Sequence, residues 1–85
     1  MFDDFLEMVD SRLPEFCSRR KAEEAMDGLL KARTLANLDS KGIGPGGILV
    51  GKKIMYKKSD LLNWLKGYLL KTEPSKAIQS DYKYN

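Results

Sequence analysis

Apolar residues recur along this chain with a helical period in four places and cluster in strand-like triplets in a fifth. In FDDFLEMVDSRL, Phe2, Phe5, Leu6, Val9 and Leu13 follow one another at i, i+3, i+4, i+7 and i+11. That spacing predicts an amphipathic helix over residues 2–13, with Asp3 and Asp4 in the first turn, where the positive end of the helix dipole favours acids. Pro14 ends this helix or opens the next element. Ser18 is placed to cap a second helix, SRRKAEEAM, whose Ala22, Ala25 and Met26 offer a small apolar face. Asp27-Gly28 is a turn signal, and a third helix, LLKARTLANLDSK, is expected from about Leu30 to Gly42, a glycine of the kind found just past a helix C-terminus. Two short helices joined by a tight glycine-bearing turn form a helix-turn-helix candidate.

Beyond Gly42 the period changes. IGPGG is a turn-rich corner, after which ILV and IMY flank Gly51-Lys52-Lys53 and predict a short hairpin with a three-residue link. Val50, Ile54 and Tyr56 are expected to hold the hairpin to the core, with the Tyr56 ring packed at its base and its hydroxyl near solvent or phosphate. Ser59 is expected to cap the last helix, SDLLNWLKGYLLK, in which Leu61, Trp64, Leu65, Tyr68 and Leu69 again keep helical spacing. Trp64 reads as a core residue there. After Lys71 the periodicity stops, so residues 73–85 are expected to be a flexible tail, with Ile78, Tyr82 and Tyr84 as the side chains able to fold onto a partner. The organisation expected is an N-terminal amphipathic helix (1–15), one compact domain (16–72) and that tail.

Composition narrows the functions. A chain of 85 residues buries only about 60–70% of its unfolded surface, which argues against an enzyme with a deep pocket. There is no histidine, which removes the usual general base and the usual metal ligand, and a single cysteine, Cys17, excludes an internal disulfide. No catalytic residue, cofactor or metal is therefore expected, and Cys17 reads as a small buried apolar side chain. No apolar run approaches the roughly 18 residues of a membrane helix. MFDDFLEMVD opens with acids where a secretory signal carries bases. A cytoplasmic protein with no membrane partner is expected.

Charge is sorted along the chain although its net value is only +3. Residues 1–15 carry Asp3, Asp4, Glu7, Asp10 and Glu15 against Arg12 alone, while residues 42–58 carry Lys52, Lys53, Lys57 and Lys58 and no acid. A basic strip set apart from an acidic segment suits docking onto a polyanion in one orientation. The third helix adds chemistry of the same kind. Leu35 and Leu38, with Ala32 and Ala36, can face the core, while Arg33, Asn37 and Ser40/Lys41 recur on another side with Thr34 beside them. Arginine and asparagine are suited to paired hydrogen bonds with guanine and adenine edges, and a helix fits the major groove. Each signal is weak alone, because lysines also guard hairpin edges and most exposed helix faces carry such residues.

Together, RTLANLDSKGIGPGGILVGKKIMYKKSDLLNWL resembles the small winged helix-turn-helix proteins of the excisionase and MerR-like group. Arg33, Thr34, Leu35, Leu38, Gly42, Gly44, Pro45, Val50, Gly51, Lys52, Ile54, Tyr56, Asp60, Leu61, Trp64 and Leu65 fall on that family's pattern in order and spacing. The resemblance covers roughly residues 16–70. It implies a mainly α fold with a small β-hairpin and binding of double-stranded DNA, typically by a phage, plasmid or other mobile-element protein. Excisionase-like members bind beside attachment sites, often as several copies, bend the DNA and bias an integrase or recombinase toward excision. The resemblance thus implies DNA, a recombinase and self-association on DNA as partners, and a nucleoid-associated location. A transcriptional regulator of the same fold and a protein-interaction module without DNA binding are the other two readings. Carried over by position, Arg33, Thr34 and Asn37 would face bases; Arg19, Arg20, Lys41, Lys57 and Lys58 would meet the DNA backbone; Lys52 and Lys53 would form the wing tip. The chain departs from the pattern near Leu30-Lys31, where a small polar residue usually opens the second motif helix, and at Leu38, where the family carries tryptophan. The first departure predicts a cap weaker by about 1 kcal/mol.

Overall fold

The computed structural model describes residues 2–71; the Phe2 side chain, the expected tail and its Ile78, Tyr82 and Tyr84 lie outside what is described. Four helices and three strands follow in the order α1 (Phe2–Arg12), β1 (Phe16–Ser18), α2 (Arg19–Ala25), α3 (Ala32–Ser40), β2 (Ile48–Val50), β3 (Lys53–Lys57) and α4 (Lys58–Lys71). The strands form one antiparallel sheet in the order β1-β3-β2.

Every predicted helix is present, and β2 and β3 are the expected hairpin. Val50 pairs with Lys53, so the link is the two residues Gly51-Lys52 and not three. Gly51 has φ +63°, the backbone that the first position of a II′ hairpin turn requires. The strand β1 was not expected. It is three residues long, too short to display a period, and exists because β3 offers it a partner: Phe16 lies opposite Lys57, Cys17 opposite Tyr56 and Ser18 opposite Met55. Cys17 and Tyr56 are both buried and therefore mark the inner face of the sheet, while Phe16 and Lys57 are exposed on the outer one.

The core joins all four helices to the sheet through Val9, Leu13, Cys17, Ala22, Ala25, Met26, Leu30, Leu35, Tyr56, Leu61 and Leu65. Val9, Leu35, Leu61 and Leu65 have no exposed surface, each contributing on the order of 1.5–3 kcal/mol of burial. Val9 and Leu13 place α1 inside this cluster. Trp64 is only half-buried. It packs on the edge of the core, stacked on Tyr68 with ring centroids 5.2 Å apart, and its indole N–H donates to the Ile43 carbonyl at 2.9 Å. Val50 is not a core residue either: it is 53% exposed, because β2 is an edge strand that runs beyond the core, and Ile54 and Tyr56 alone anchor the hairpin.

Helix ends follow local chemistry. Ser18 caps α2 as expected, its Oγ accepting the Lys21 N–H at 3.1 Å. Asp27 and Gly28, both at positive φ, turn the chain toward α3. The start of α3 at Ala32 lies two residues beyond the expected Leu30, and Lys31 at its cap makes no side-chain cap bond. Glu23 on α2 fills that role across the turn, its Oε1 accepting the Ala32 N–H at 2.8 Å. At the other end Gly42 donates to the Asp39 carbonyl at 2.9 Å and Ile43 to the Leu38 carbonyl at 3.0 Å, the paired bonds of a Schellman turn, with Gly42 at φ +77°. Helix α4 begins at Lys58, one residue before Ser59, which therefore lies inside its first turn and is not its cap.

Candidate nucleic-acid interface

Helix α3 presents two chemistries. Leu35 is buried and Leu38 half-buried toward the core, while Arg33, Asn37, Ser40 and Lys41 are exposed on the opposite side and Thr34 is half-exposed beside them. Arg33, Asn37 and Lys41 occupy one stripe at i, i+4 and i+8, as the sequence predicts. On the hairpin, Lys52 and Lys53 are exposed at the tip and Lys57 at the base. Arg20, on the first turn of α2, is exposed and lines one shallow cleft of about 330 Å³ with Lys53, Ser18, Arg19 and Ile54. The cleft thus brings the start of α2 and the start of β3 together, a proximity that sequence spacing does not reveal. Among the described residues, none of Arg20, Arg33, Lys41, Lys52, Lys53 and Lys57 is paired with an acid. Their charge is open to an external anion.

Two expected backbone contacts have other work. Lys58 lies at the junction of α1 and α4: its ammonium is 2.8 Å from Asp10 Oδ1 and donates to the main-chain carbonyls of Asp10 and Leu13 at 3.2 and 3.4 Å. A cation at the carbonyl end of a helix is stabilised there by the dipole, so Lys58 fastens α1. Arg19 is half-buried and held by neighbouring side chains. Its Nη2 donates to Asp39 Oδ2 at 2.8 Å and its Nε to the Tyr56 hydroxyl at 3.0 Å, with the guanidinium 5.9 Å from the Tyr56 ring centroid. The Tyr56 hydroxyl, expected near solvent or phosphate, instead donates to Asp39 Oδ2 at 2.7 Å.

Asp39 is the centre of this cluster. Its second oxygen accepts the Gly46 N–H at 3.1 Å, so one carboxylate of α3 ties together α2, the glycine corner and β3. Burial by itself would raise the Asp39 pKa, but the hydrogen bonds from Arg19, Tyr56 and Gly46, with the Arg19 charge, hold it below its ordinary value. Burial, reinforced by the Asp39 carboxylate, pushes the Tyr56 phenol up to about 12. The bond to Asp39 raises the Arg19 pKa against the effect of burial, so this cation stays charged. The close approach requires glycine. A Cβ at Gly44 would lie 2.7 Å from the Asp39 main-chain nitrogen, and one at Gly47 3.0 Å from the Tyr56 ring.

Compared with protein-family models, curated proteins and solved structures, the chain matches none. The residues themselves carry the functional reading. No helix among the described residues is long and apolar enough to cross a membrane, and no group of His, Cys, Asp and Glu among them could hold a metal ion.

Proposed function

We propose that the chain is a sequence-specific DNA-binding protein of winged helix-turn-helix architecture, with α2 and α3 as the helix pair and the β2–β3 hairpin as the wing. One observation carries the reading. Arg33 and Asn37 on α3 and Lys52 and Lys53 on the hairpin are exposed and without acidic partners, on two elements joined by the Arg19, Asp39 and Tyr56 cluster. In this arrangement α3 enters the major groove, where Arg33, Thr34 and Asn37 meet base edges and Lys41 lies toward the strand backbone. The wing lays Lys52 and Lys53 on phosphates or in the minor groove, and Arg20 and Lys57 add phosphate contacts. Arg19 and Lys58 support these elements from within. The chemistry is binding without catalysis, in keeping with a chain that has no histidine.

The excisionase role is the specific form of this proposal: the protein binds beside an attachment site, several copies bend the DNA, and a recombinase is biased toward excision. The deciding experiment is a footprint on the flanking genomic DNA together with anisotropy titrations at several salt concentrations. Protection at an attachment site supports excision, whereas protection at a promoter replaces it with transcriptional control. Arg33→Ala and Asn37→Ala are expected to lose sequence preference, each paired contact being worth about 1–3 kcal/mol. Lys52→Ala with Lys53→Ala is expected to weaken all duplexes alike and to flatten the slope of log K against log salt by about 2. Unchanged binding of that double variant refutes the wing, and absence of DNA affinity at low salt refutes the whole reading in favour of a protein-interaction module.

A further inference from the structure

The acid at the centre of the interface poses an electrostatic problem. Asp39 belongs to α3, the helix assigned to the major groove, and a negative charge there repels DNA. Nevertheless its side chain is only 13% exposed and its two oxygens accept from Arg19, Tyr56 and Gly46, that is, from α2, from β3 and from the corner that leads into β2. No other side chain among the described residues makes hydrogen bonds to three separate segments. The corner has been shaped to reach it, since Gly44 lies too close to Asp39 for any Cβ and Gly47 too close to Ile54 and Tyr56. These bonds fix how the hairpin sits against α3.

Resting on the DNA-binding reading, we propose that Asp39 is a positioning residue for sequence discrimination. It holds the wing at one angle to α3, so that wing and helix engage a single duplex together only when the bases under Arg33 and Asn37 are the right ones. A loosened wing still finds phosphates on any sequence. With the angle fixed, a helix displaced by wrong bases also displaces the wing, so a mismatch weakens both sets of contacts. The general principle is that a pre-organised pair of contact surfaces turns a local misfit into a loss across the whole interface.

Charge and positioning predict opposite outcomes for Asp39→Ala. Removing an acid from a DNA-facing protein by charge alone tightens binding to every duplex and leaves the ratio between sequences intact. Positioning predicts that the ratio of affinities for the footprinted duplex and a scrambled one falls by about tenfold, the size of one lost base contact, while affinity for the scrambled duplex holds or rises. Tyr56→Phe, which keeps the ring and removes one of the three bonds to Asp39 together with the Arg19 bond to the hydroxyl, should reduce the ratio in the same direction by a smaller factor. A second measurement needs no DNA. In the free Asp39→Ala protein, amide exchange at Gly46 and along β2 and β3 should accelerate while amides of α1 and α4 keep their native rates. An unchanged ratio in both variants overturns the proposal, and so does uniform acceleration across all helices, which marks general destabilisation. If no duplex binds at all, the DNA reading fails, and the exchange pattern alone still decides whether Asp39 holds the hairpin.

Discussion

Replacing Gly44 by alanine tests the tight corner between α3 and the hairpin. The added methyl would run into the Asp39 carboxylate and stand 2.7 Å from the Asp39 main-chain nitrogen. The nitrogen belongs to the hydrogen-bonded backbone of α3 and cannot retreat, so either the corner moves out or the carboxylate turns away. Crowding of this kind costs about 1–3 kcal/mol, and one lost hydrogen bond to a charged group adds about 1.5–3. Partial relaxation of the corner brings the expected total to about 3 kcal/mol. In a domain of this size that lowers Tm by about 12–24 °C. Gly46→Ala is the control from the same corner: Gly46 has φ +78° and nothing within 4 Å of the new Cβ, so only backbone conformation is strained, at about 1–2 kcal/mol. Urea unfolding followed by the fluorescence of the single tryptophan, Trp64, reads both variants. A Gly44→Ala protein no less stable than Gly46→Ala refutes the close approach and the fixed hairpin that depends on it.

Alkali should reveal the burial of Tyr56 beside Asp39. Because the folded-state pKa of Tyr56 is raised to about 12 from an ordinary value of 10, its contribution to stability is complete below pH 10 and disappears as pH rises through 12. The stability difference between the native chain and Tyr56→Phe should therefore shrink by about 2–3 kcal/mol over that range. A phenolate absorbance titration of the same pair that shows Tyr56 ionising near pH 10 would contradict it. Cys17 is buried and its thiol pKa is raised by that burial against the pull of Lys21, so it should react with a thiol reagent far more slowly in the native protein than in denaturant. Rates within about tenfold of each other in the two states would place the thiol at the surface.

Helix content was legible because each helix carries its own evidence: a period of apolar residues, a serine at the start of α2, a glycine after α3. The hairpin was legible from its glycine and its β-favouring triplets. Long-range pairing was not. The strand β1 depends on β3 some forty residues later, and three residues cannot announce a period. The missing polar cap of α3 was visible in the sequence, but its replacement by Glu23 was not, because the acid reaches back from another helix. Similarly, Arg19 and Lys58 were read as available cations when their acids, Asp39 and Asp10, are distant in sequence and adjacent in space. One clue was present. Asp39 follows Leu38 on the inward side of α3, and an inward acid requires a donor.

The Lys58 contact at the end of α1 bears on how the protein can be shortened. Helix α1 supplies Val9 to the core and, through Asp10 and the Asp10 and Leu13 carbonyls, neutralises a lysine beside the basic hairpin. A truncation that drops residues 1–15 removes Asp3, Asp4, Glu7, Asp10 and Glu15 with only Arg12 in exchange, and sets the Lys58 ammonium free. The shortened chain would be at once less well packed and more strongly cationic, and on the proposed DNA-binding reading it would hold duplexes more avidly and more indiscriminately as its fold weakened. On the proposed DNA-binding reading, acidic α1 would act in this respect as a counterweight to the basic surface.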